Sequence, residues 1–231
     1  MNPCDRLIVA LDVSSAADAR QIVTAVGASA TTFKVGKQLF TAEGPQIVRD
    51  LVASGRKVFL DLKFHDIPNT VAGAVASAAG LGVSMLTVHA SGGSKMLKAA
   101  CEAASKAKTK PLILAVTVLT SFNNADLEEH GITTGIESQV LRLAGLALQS
   151  GCGGVVTSAK EAANLRRSLG TGFAIVTPGV RPAGSDIGDQ ARVVTPKEAI
   201  AAGVDYIVVG RPITAAKEPA TAAAAILAEI S

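Results

Sequence analysis

Short apolar runs rich in β-branched residues alternate along this chain with longer Ala-rich segments, in which apolar residues recur at helical spacing. The apolar runs predict strands, and because few polar residues interrupt them they are typical of strands covered on both faces. The predicted strands are residues 7–11, 32–35, 58–62, 85–89, 112–119, 154–157, 174–177 and 206–209. The segments between them predict helices over residues 16–26, 45–53, 71–79, 94–105, 138–149, 159–169, 196–202 and 214–230.

Each predicted strand is followed by a helix, and the strands lie roughly 28 residues apart, close to the length of one βαβ unit. Eight such units in 231 residues predict a TIM (β/α)8 barrel, an α/β fold, with residues 1–231 as a single domain. A doubly wound dinucleotide-binding sheet would place GxGxxG after the first strand, where Leu11-Asp12-Val13-Ser14 stands instead. In a TIM barrel the chemistry lies at the carboxyl ends of the strands, so polar residues at those ends are the candidate site.

Composition excludes several classes of protein. Only 18% of the residues are charged and the formal net charge is +3, whereas a disordered chain combines low hydrophobicity with high net charge. Basic residues are scattered, Trp is absent and aromatic residues make up 3%, so we expect no nucleic-acid partner. Residues 67–88 carry no charge, but Pro, Asn, Gly and Ser interrupt them, and we expect no membrane span. The first residues also lack a secretory signal, which predicts a cytoplasmic protein.

Cysteine and histidine spacing predicts no metal site. Cys4, Cys101 and Cys152 are far apart and lack CxxC spacing, so neither a disulfide framework nor a thiolate site is expected. The three histidines show no HxH or HxxxH spacing, and packing or hydrogen bonding accounts for each of them. We therefore expect no metal.

The densest group of charges follows the third predicted strand, in Asp61-Leu62-Lys63-Phe64-His65-Asp66. Alternate residues of a strand face the same side, so Asp61 and Lys63 should point together, and Lys34 on the neighbouring strand can meet them. The alternative is an ion-pair ladder that only stabilises the barrel rim. Burying charges usually costs more than their mutual attraction returns, so stability is a poor reason to keep such a network. The cluster therefore favours a catalytic function.

A second group of residues predicts a phosphate site. The connections over residues 120–137 and 178–194 are unusually long, and loops of that length in compact domains are usually functional. The second of them contains Arg181 and Gln190, and Gly210 and Arg211 follow the eighth predicted strand. TIM barrels commonly bind phosphate in these two loops, through backbone N–H groups and an Arg side chain. A surface Arg in a Gly-rich loop is the alternative, and it explains one Arg better than two.

Five segments match the sequence pattern of one known family. They are LIVALD (7–12), FKVG (33–36), DLKFHDIPNT (61–70), TPGVRP (177–182) and VVGRPIT (208–214). The pattern DxKxxDIPNT is specific, whereas the last two segments also occur in other phosphate-binding barrels. On these residues the chain resembles orotidine 5′-phosphate decarboxylases of the bacterial type along its whole length.

The resemblance implies an enzyme that decarboxylates orotidine 5′-phosphate to uridine 5′-phosphate in de novo pyrimidine biosynthesis, without a cofactor. It implies that Lys63 donates a proton within a network of Lys34, Asp61 and Asp66, with Asp61 beside the departing carboxylate. It also implies a homodimer in which Asp66 and Thr70 reach into the partner's site. The other implied contacts are Asp12 and Lys34 with the ribose hydroxyls, Thr120 with the pyrimidine, and Arg181, Gln190, Gly210 and Arg211 with the phosphate.

Two other functions stay open on the sequence. A metal-dependent decarboxylase or aldolase of sugar phosphates on the same barrel also carries DxKxxD, although residues 67–70 and the scarcity of further acidic strand ends argue against it. A nucleotide-binding barrel without catalysis is the other, and the intact charged cluster argues against that one. Activity that survives a chelator would exclude the first, and tight uridine monophosphate binding without turnover would show the second.

Overall fold

Eight parallel strands pair in chain order and close into a barrel, because the last strand pairs with the first. The TIM-barrel prediction is confirmed. The structure, a computed structural model, describes residues 2–182 and 194–231. Its strands are β1 (Leu7–Ala10), β2 (Thr32–Gly36), β3 (Lys57–Phe64), β4 (Met85–His89), β5 (Leu112–Val116), β6 (Gly154–Val156), β7 (Ala174–Thr177) and β8 (Tyr206–Val209).

Helices cover the outer face of the barrel. They are α1 (Pro3–Arg6), α2 (Ala16–Val26), α3 (Lys37–Glu43), α4 (Gln46–Ala53), α5 (Pro68–Ala79), α6 (Gly93–Lys106), α7 (Asn124–Glu129), α8 (Ile136–Gln149), α9 (Ala159–Leu169), α10 (Pro196–Ala201), α11 (Arg211–Thr214) and α12 (Pro219–Glu229). Short 3-10 turns occupy Gly27–Ser29 and Ala90–Gly92. Within the described ranges no helix is both long and apolar enough to span a bilayer.

Three local features differ from the predicted elements. Strand β5 ends at Val116, and the long connection after it contains α7, whose start is fixed by a capping box between Asn123 and Asp126. The helix predicted over residues 214–230 is two helices, because Pro219 has no N–H to give and stands at the first position of α12. Helix α3 was not predicted.

Apolar side chains fill both faces of the sheet. Inside the barrel, residues such as Ile8, Phe59, Leu114 and Val176 form one buried cluster. A larger cluster packs the outer faces of the strands against the helices. Because both faces are buried, the strands carry the continuous apolar pattern seen in the sequence, and the barrel interior is a packed core rather than a pore.

A separate group of charges closes the amino end of the barrel. Asp205 accepts hydrogen bonds at Oδ2 from the Arg166 guanidinium at 2.6 Å and from the backbone N–H of Ile175 at 2.7 Å. Arg166 also donates to the carbonyl oxygens of Gly203 and Phe173. These bonds join the starts of β7 and β8 to α9 and lie opposite the strand ends where chemistry is expected. Their function is structural.

Candidate active site

A cavity of about 400 Å³ opens at the carboxyl ends of the strands, which is where the sequence predicts the site. Phe59, Val116, Val156 and Val208 form its apolar floor. Eight of the eleven predicted site residues line it. They are Asp12, Lys34, Asp61, Lys63, Thr120, Arg181, Gly210 and Arg211.

Four of these residues form a chain of alternating charge along one wall of the cavity. Lys63 Nζ lies 2.7 Å from both carboxylate oxygens of Asp61. Lys34 Nζ lies 3.9 Å from Asp61 Oδ2 and donates a hydrogen bond to Asp12 Oδ1 at 2.6 Å. The side chains of Lys34 and Asp61 are only 11% and 12% exposed, so their attraction is less screened than that of surface pairs. The order Asp12, Lys34, Asp61, Lys63 places an ammonium group next to each carboxylate.

Gly36 leaves room for the contact between Lys34 and Asp12. A Cβ at Gly36 would lie 2.9 Å from Lys34 Nζ and 3.1 Å from Asp12 Oδ1. Both distances are shorter than ordinary contacts with carbon, so a larger residue at the end of β2 would require the ends of the Lys34 and Asp12 side chains to shift.

A distortion of β3 aims Lys63 at the cavity. The pairing of β3 with β4 shifts register between Leu60 and Phe64, and Lys63 has a φ of 53°. Such a left-handed conformation is uncommon for lysine and costs on the order of 1–3 kcal/mol. Asp61 and Lys63 do meet, as alternation along the strand predicts, but the strand reaches that contact through a bulge rather than a regular pleat.

The sequence analysis missed Thr87, which holds this distortion from the neighbouring strand. Its hydroxyl is fully buried, accepts a hydrogen bond from the Lys63 backbone N–H at 2.8 Å, and donates one to Asp61 Oδ1 at 3.0 Å. Thr87 lies in the middle of β4, whereas only strand ends were considered. The available signal was a single hydroxyl in the otherwise apolar run Met85-Leu86-Thr87-Val88.

Two arginines bring positive charge to the opposite side of the cavity. Arg181 follows β7 and is 7% exposed, and its guanidinium donates to the carbonyl of Val180 at 3.1 Å. Arg211 follows Gly210 after β8 and lines the same cavity. The loops after β7 and β8 therefore offer two guanidinium groups to one ligand, as a phosphate site requires. Gln190, the third predicted side chain of this group, lies outside the described residues.

Asp66 and Thr70 do not line the cavity of their own chain. Residues 65–70 are all exposed, and the Ile67 side chain among them is 66% exposed. Asp66 accepts a hydrogen bond from the Ile67 N–H at 2.6 Å and borders a shallow outer depression with His65 and Gly92. These two predicted site residues thus lie on a surface segment that follows β3.

Residues 5–226 match the model of the orotidine 5′-phosphate decarboxylase / HUMPS family. This chain belongs to that family. The orotidine 5′-phosphate decarboxylase of Halorhodospira halophila is 57% identical to it over 226 residues, 98% of this chain and 96% of that protein. The one from Idiomarina loihiensis is 54% identical and covers 97% of each chain. The crystal structure of the Lactobacillus acidophilus orotidine 5′-phosphate decarboxylase superposes with a TM-score of 0.88 at 39% identity, covering 98% of this chain and 99% of that one. The family resemblance drawn from the sequence is confirmed.

Two histidines flank the charged wall without joining it. The rings of His65 and His89 lie 5.4 Å apart. Burial, followed by electrostatic interactions with His65, Lys37 and Lys63, lowers the pKa of His89 to about 4, so His89 is neutral near pH 7. Neutral His89 adds no charge beside Lys63. Among the described residues, no three His, Cys, Asp or Glu side chains are grouped to hold a metal ion.

Proposed function

We propose that this chain decarboxylates orotidine 5′-phosphate to uridine 5′-phosphate, in de novo pyrimidine biosynthesis, with Lys63 as the proton donor and no metal or cofactor. One observation carries the assignment of the donor. Lys63 Nζ contacts both oxygens of Asp61 at 2.7 Å, at the wall of a cavity that also presents Arg181 and Arg211. An ammonium group thus stands in the same cavity as two groups suited to a phosphate.

The reaction requires electrostatic stabilisation of the negative charge that develops on C6. Breaking the bond between C6 and the carboxylate releases carbon dioxide and leaves the electron pair on C6, where no adjacent carbonyl delocalises it. A preorganised positive charge near C6 lowers the free energy of that carbanion-like species. The Lys63 ammonium supplies the charge and then transfers its proton to C6, completing uridine 5′-phosphate. The neighbouring carboxylate of Asp61 favours the charged form of Lys63 before transfer.

Asp61 also acts on the bound substrate. We place the departing carboxylate beside Asp61, where two like charges raise the free energy of the ground state relative to the transition state. Lys34, held between Asp12 and Asp61, fixes the Asp61 carboxylate. Asp12 and Lys34 together bind the ribose hydroxyls, since both line the cavity and the carboxylate of Asp12 is exposed.

The phosphate lies on the far side, away from the chemistry. Arg181, Arg211 and the backbone at Gly210 bind it, together with Gln190, and Thr120 borders the pyrimidine between the two regions. Contacts to this non-reacting group can supply binding energy for orientation at the reacting carbon.

We further propose a homodimer whose two sites are shared. Asp66 and Thr70 complete the site of the partner, because neither lines the cavity of its own chain although both follow Lys63 closely. The exposed Ile67 between them supports this, since a large exposed apolar side chain gains free energy when a partner covers it.

Mixing two inactive variants tests the shared site. Lys63→Ala and Asp66→Asn should each be inactive, but a hybrid dimer has one site with both native residues. In an equal, fully exchanged mixture half of the dimers are hybrids, so we expect about one quarter of wild-type activity. The measurement is turnover of orotidine 5′-phosphate after subunit exchange.

The control mixes Lys63→Ala with the double variant Lys63→Ala, Asp66→Asn, which has no native Lys63 and should stay inactive. Absence of recovery in the first mixture, with exchange demonstrated by a mass-tagged subunit, would contradict the shared site.

A single domain over residues 1–231 and a cytoplasmic location complete the proposal. The pairing of β1 with β8 supports the single domain, because strands near both ends of the chain close one barrel. The location follows from the substrate, a charged nucleotide that does not cross a bilayer unaided.

A further inference from the structure

We infer that Thr87 is the positioning residue of the proton donor, through a hydroxyl that fixes both the backbone of Lys63 and the carboxylate of Asp61. The inference rests on the proposed function of Lys63. The inference adds a residue on β4, behind the cavity wall, and Thr87 does not itself line the cavity.

The hydrogen bonds form a closed ring. The Lys63 N–H donates to Thr87 Oγ1 at 2.8 Å, Thr87 Oγ1 donates to Asp61 Oδ1 at 3.0 Å, and Lys63 Nζ donates to the same oxygen at 2.7 Å. A hydroxyl has one proton, so once that proton is given to Asp61 the oxygen must accept from Lys63. Thr87 is 0% exposed, and water therefore cannot replace either bond. The backbone of Lys63 is thus linked to the Asp61 carboxylate through one hydroxyl, and the Lys63 ammonium group contacts the same carboxylate directly.

The ring of hydrogen bonds holds Lys63 in a strained backbone conformation. Its φ of 53° and the register shift between Leu60 and Phe64 place the residue where a regular strand would not. Without the bond to Thr87 the Lys63 N–H loses this partner, and the backbone is free to relax toward an ordinary strand conformation. Relaxation moves Nζ relative to C6, and a displacement of about 1 Å is enough to lower a rate roughly 100-fold.

Thr87→Val tests this, because valine keeps the shape of threonine and removes the hydroxyl. We expect kcat to fall about 10- to 100-fold. KM for orotidine 5′-phosphate should stay within about 3-fold, because the proposed phosphate contacts lie in the loops after β7 and β8. Thr87→Ser keeps the hydroxyl and should keep kcat within about 3-fold of wild type. If the valine variant does not fold, Thr87→Ala against Thr87→Ser makes the same comparison, because those two differ only in the hydroxyl.

Thr117, which directly follows the next strand, β5, provides the matched control. It is 5% exposed and its hydroxyl donates to the carbonyl of Val156 at 3.2 Å, so Thr117→Val removes a buried bond that does not involve the charged wall. We expect Thr117→Val to keep kcat. Wild-type kcat in Thr87→Val while Lys63→Ala is inactive would overturn the inference and leave the proposed function standing. Turnover in Lys63→Ala would overturn both, and an equal loss in Thr87→Ser and Thr87→Val would show that the hydroxyl is not responsible.

A different observation carries a second inference, away from the active site. Cys101 on α6 and Cys152 just before β6 are 51 residues apart in sequence, and their sulfur atoms are 3.7 Å apart. We propose that this pair is a modification site, a dithiol that a hydroperoxide oxidises to a disulfide.

The two thiols are chemically unequal. Cys152 is buried and Cys101 is half-buried, so Cys101 is the accessible one. The hydrogen-bond contact between the two thiols lowers the pKa of Cys101, and the same contact together with burial raises the pKa of Cys152. The attacking thiolate is therefore Cys101, and Cys152 is the resolving thiol.

The oxidation balances in two steps. The Cys101 thiolate attacks one oxygen of hydrogen peroxide and breaks the O–O bond, giving the sulfenic acid and hydroxide, which takes up the proton that Cys101 released. The Cys152 sulfur then attacks the Cys101 sulfur, the S–O bond breaks, and the hydroxyl group leaves as water with the Cys152 proton. Two thiols lose two electrons in all, and the peroxide is reduced to two waters.

Local geometry favours the bond. The sulfurs must approach from 3.7 Å to about 2.05 Å. Cys152 precedes β6, at the end of the barrel opposite the cavity, so the disulfide should add stability without changing turnover.

Intact mass after treatment with a small excess of hydrogen peroxide tests the pair. We expect a loss of about 2 Da, the two thiol hydrogens, a peptide linking Cys101 to Cys152, and a rise in Tm of about 5 °C that dithiothreitol reverses. Cys101→Ser and Cys152→Ser should show neither change, and Cys4 should remain open to alkylation throughout. A mass gain from oxygen without a link, or a link through Cys4, would overturn the proposal.

Discussion

Lys63→Ala should lower kcat for orotidine 5′-phosphate by at least about 10⁴-fold, because the substitution removes both the proton donor and the positive charge beside the carbanion. The fold should survive, since Lys63 sits at the cavity wall with 25% of its side chain exposed and packs no core. Removing Lys63 also leaves Asp61 without its nearest cation, so some loss of stability is expected. The measurement is the ultraviolet absorbance change that accompanies loss of the carboxylate.

Lys57 offers a control on the same strand. It stands at the amino end of β3, its side chain is 56% exposed, and it pairs with Asp5 at 3.0 Å on the surface. Lys57→Ala removes the same charge from the same strand, but at the other end of the barrel. Exposed pairs contribute little, so we expect wild-type turnover and a stability change below about 1 kcal/mol.

Arg211→Ala should raise KM for orotidine 5′-phosphate by roughly 100-fold or more, because charge-assisted bonds to a phosphate are strong. The same substitution should leave binding of the free nucleoside nearly unchanged, because the nucleoside has no phosphate to lose. Affinities of uridine 5′-phosphate and uridine, measured by titration calorimetry for wild type and variant, separate the two effects.

Arg167 on α9 is the matched control for this substitution. Its guanidinium is exposed and donates to Asn164 at 3.3 Å on the helix surface. Arg167→Ala should bind uridine 5′-phosphate like the wild type. Equal losses of nucleotide and nucleoside affinity in Arg211→Ala would refute the phosphate role.

Local patterns in the sequence account for much of this molecule. The two-residue period of a strand predicted that Asp61 and Lys63 meet, and the carboxyl ends of parallel strands predicted that Arg211 and Lys34 share a cavity. Both are found. These inferences succeed because they depend only on the pleat of a strand and on the topology of a parallel barrel.

Pairings between strands were harder to predict. No glycine marks the bulge at Lys63 in the sequence. The bulge is held by a hydrogen bond from the Lys63 N–H to Thr87, which is 24 residues away in the sequence. The Ala-rich pattern predicted one helix over residues 214–230, whereas α12 begins at Pro219. The spacing of apolar residues within one segment does not indicate which buried hydroxyl on another strand contacts that segment.

The positions of Asp66 and Thr70 were also hard to predict from local sequence patterns. Their place in the sequence next to Lys63 suggested the same cavity, yet the chain turns outward at residue 65 and exposes both. Only the family resemblance implied that they act on the partner, and a single chain does not display that contact.

The most direct test of the account is a side-by-side assay of wild type, Lys57→Ala and Lys63→Ala with orotidine 5′-phosphate in buffer containing excess chelator. The account predicts full turnover by the first two and none by the third, with all three binding uridine 5′-phosphate. Retained turnover in Lys63→Ala, or loss of wild-type activity in the chelator, would contradict it.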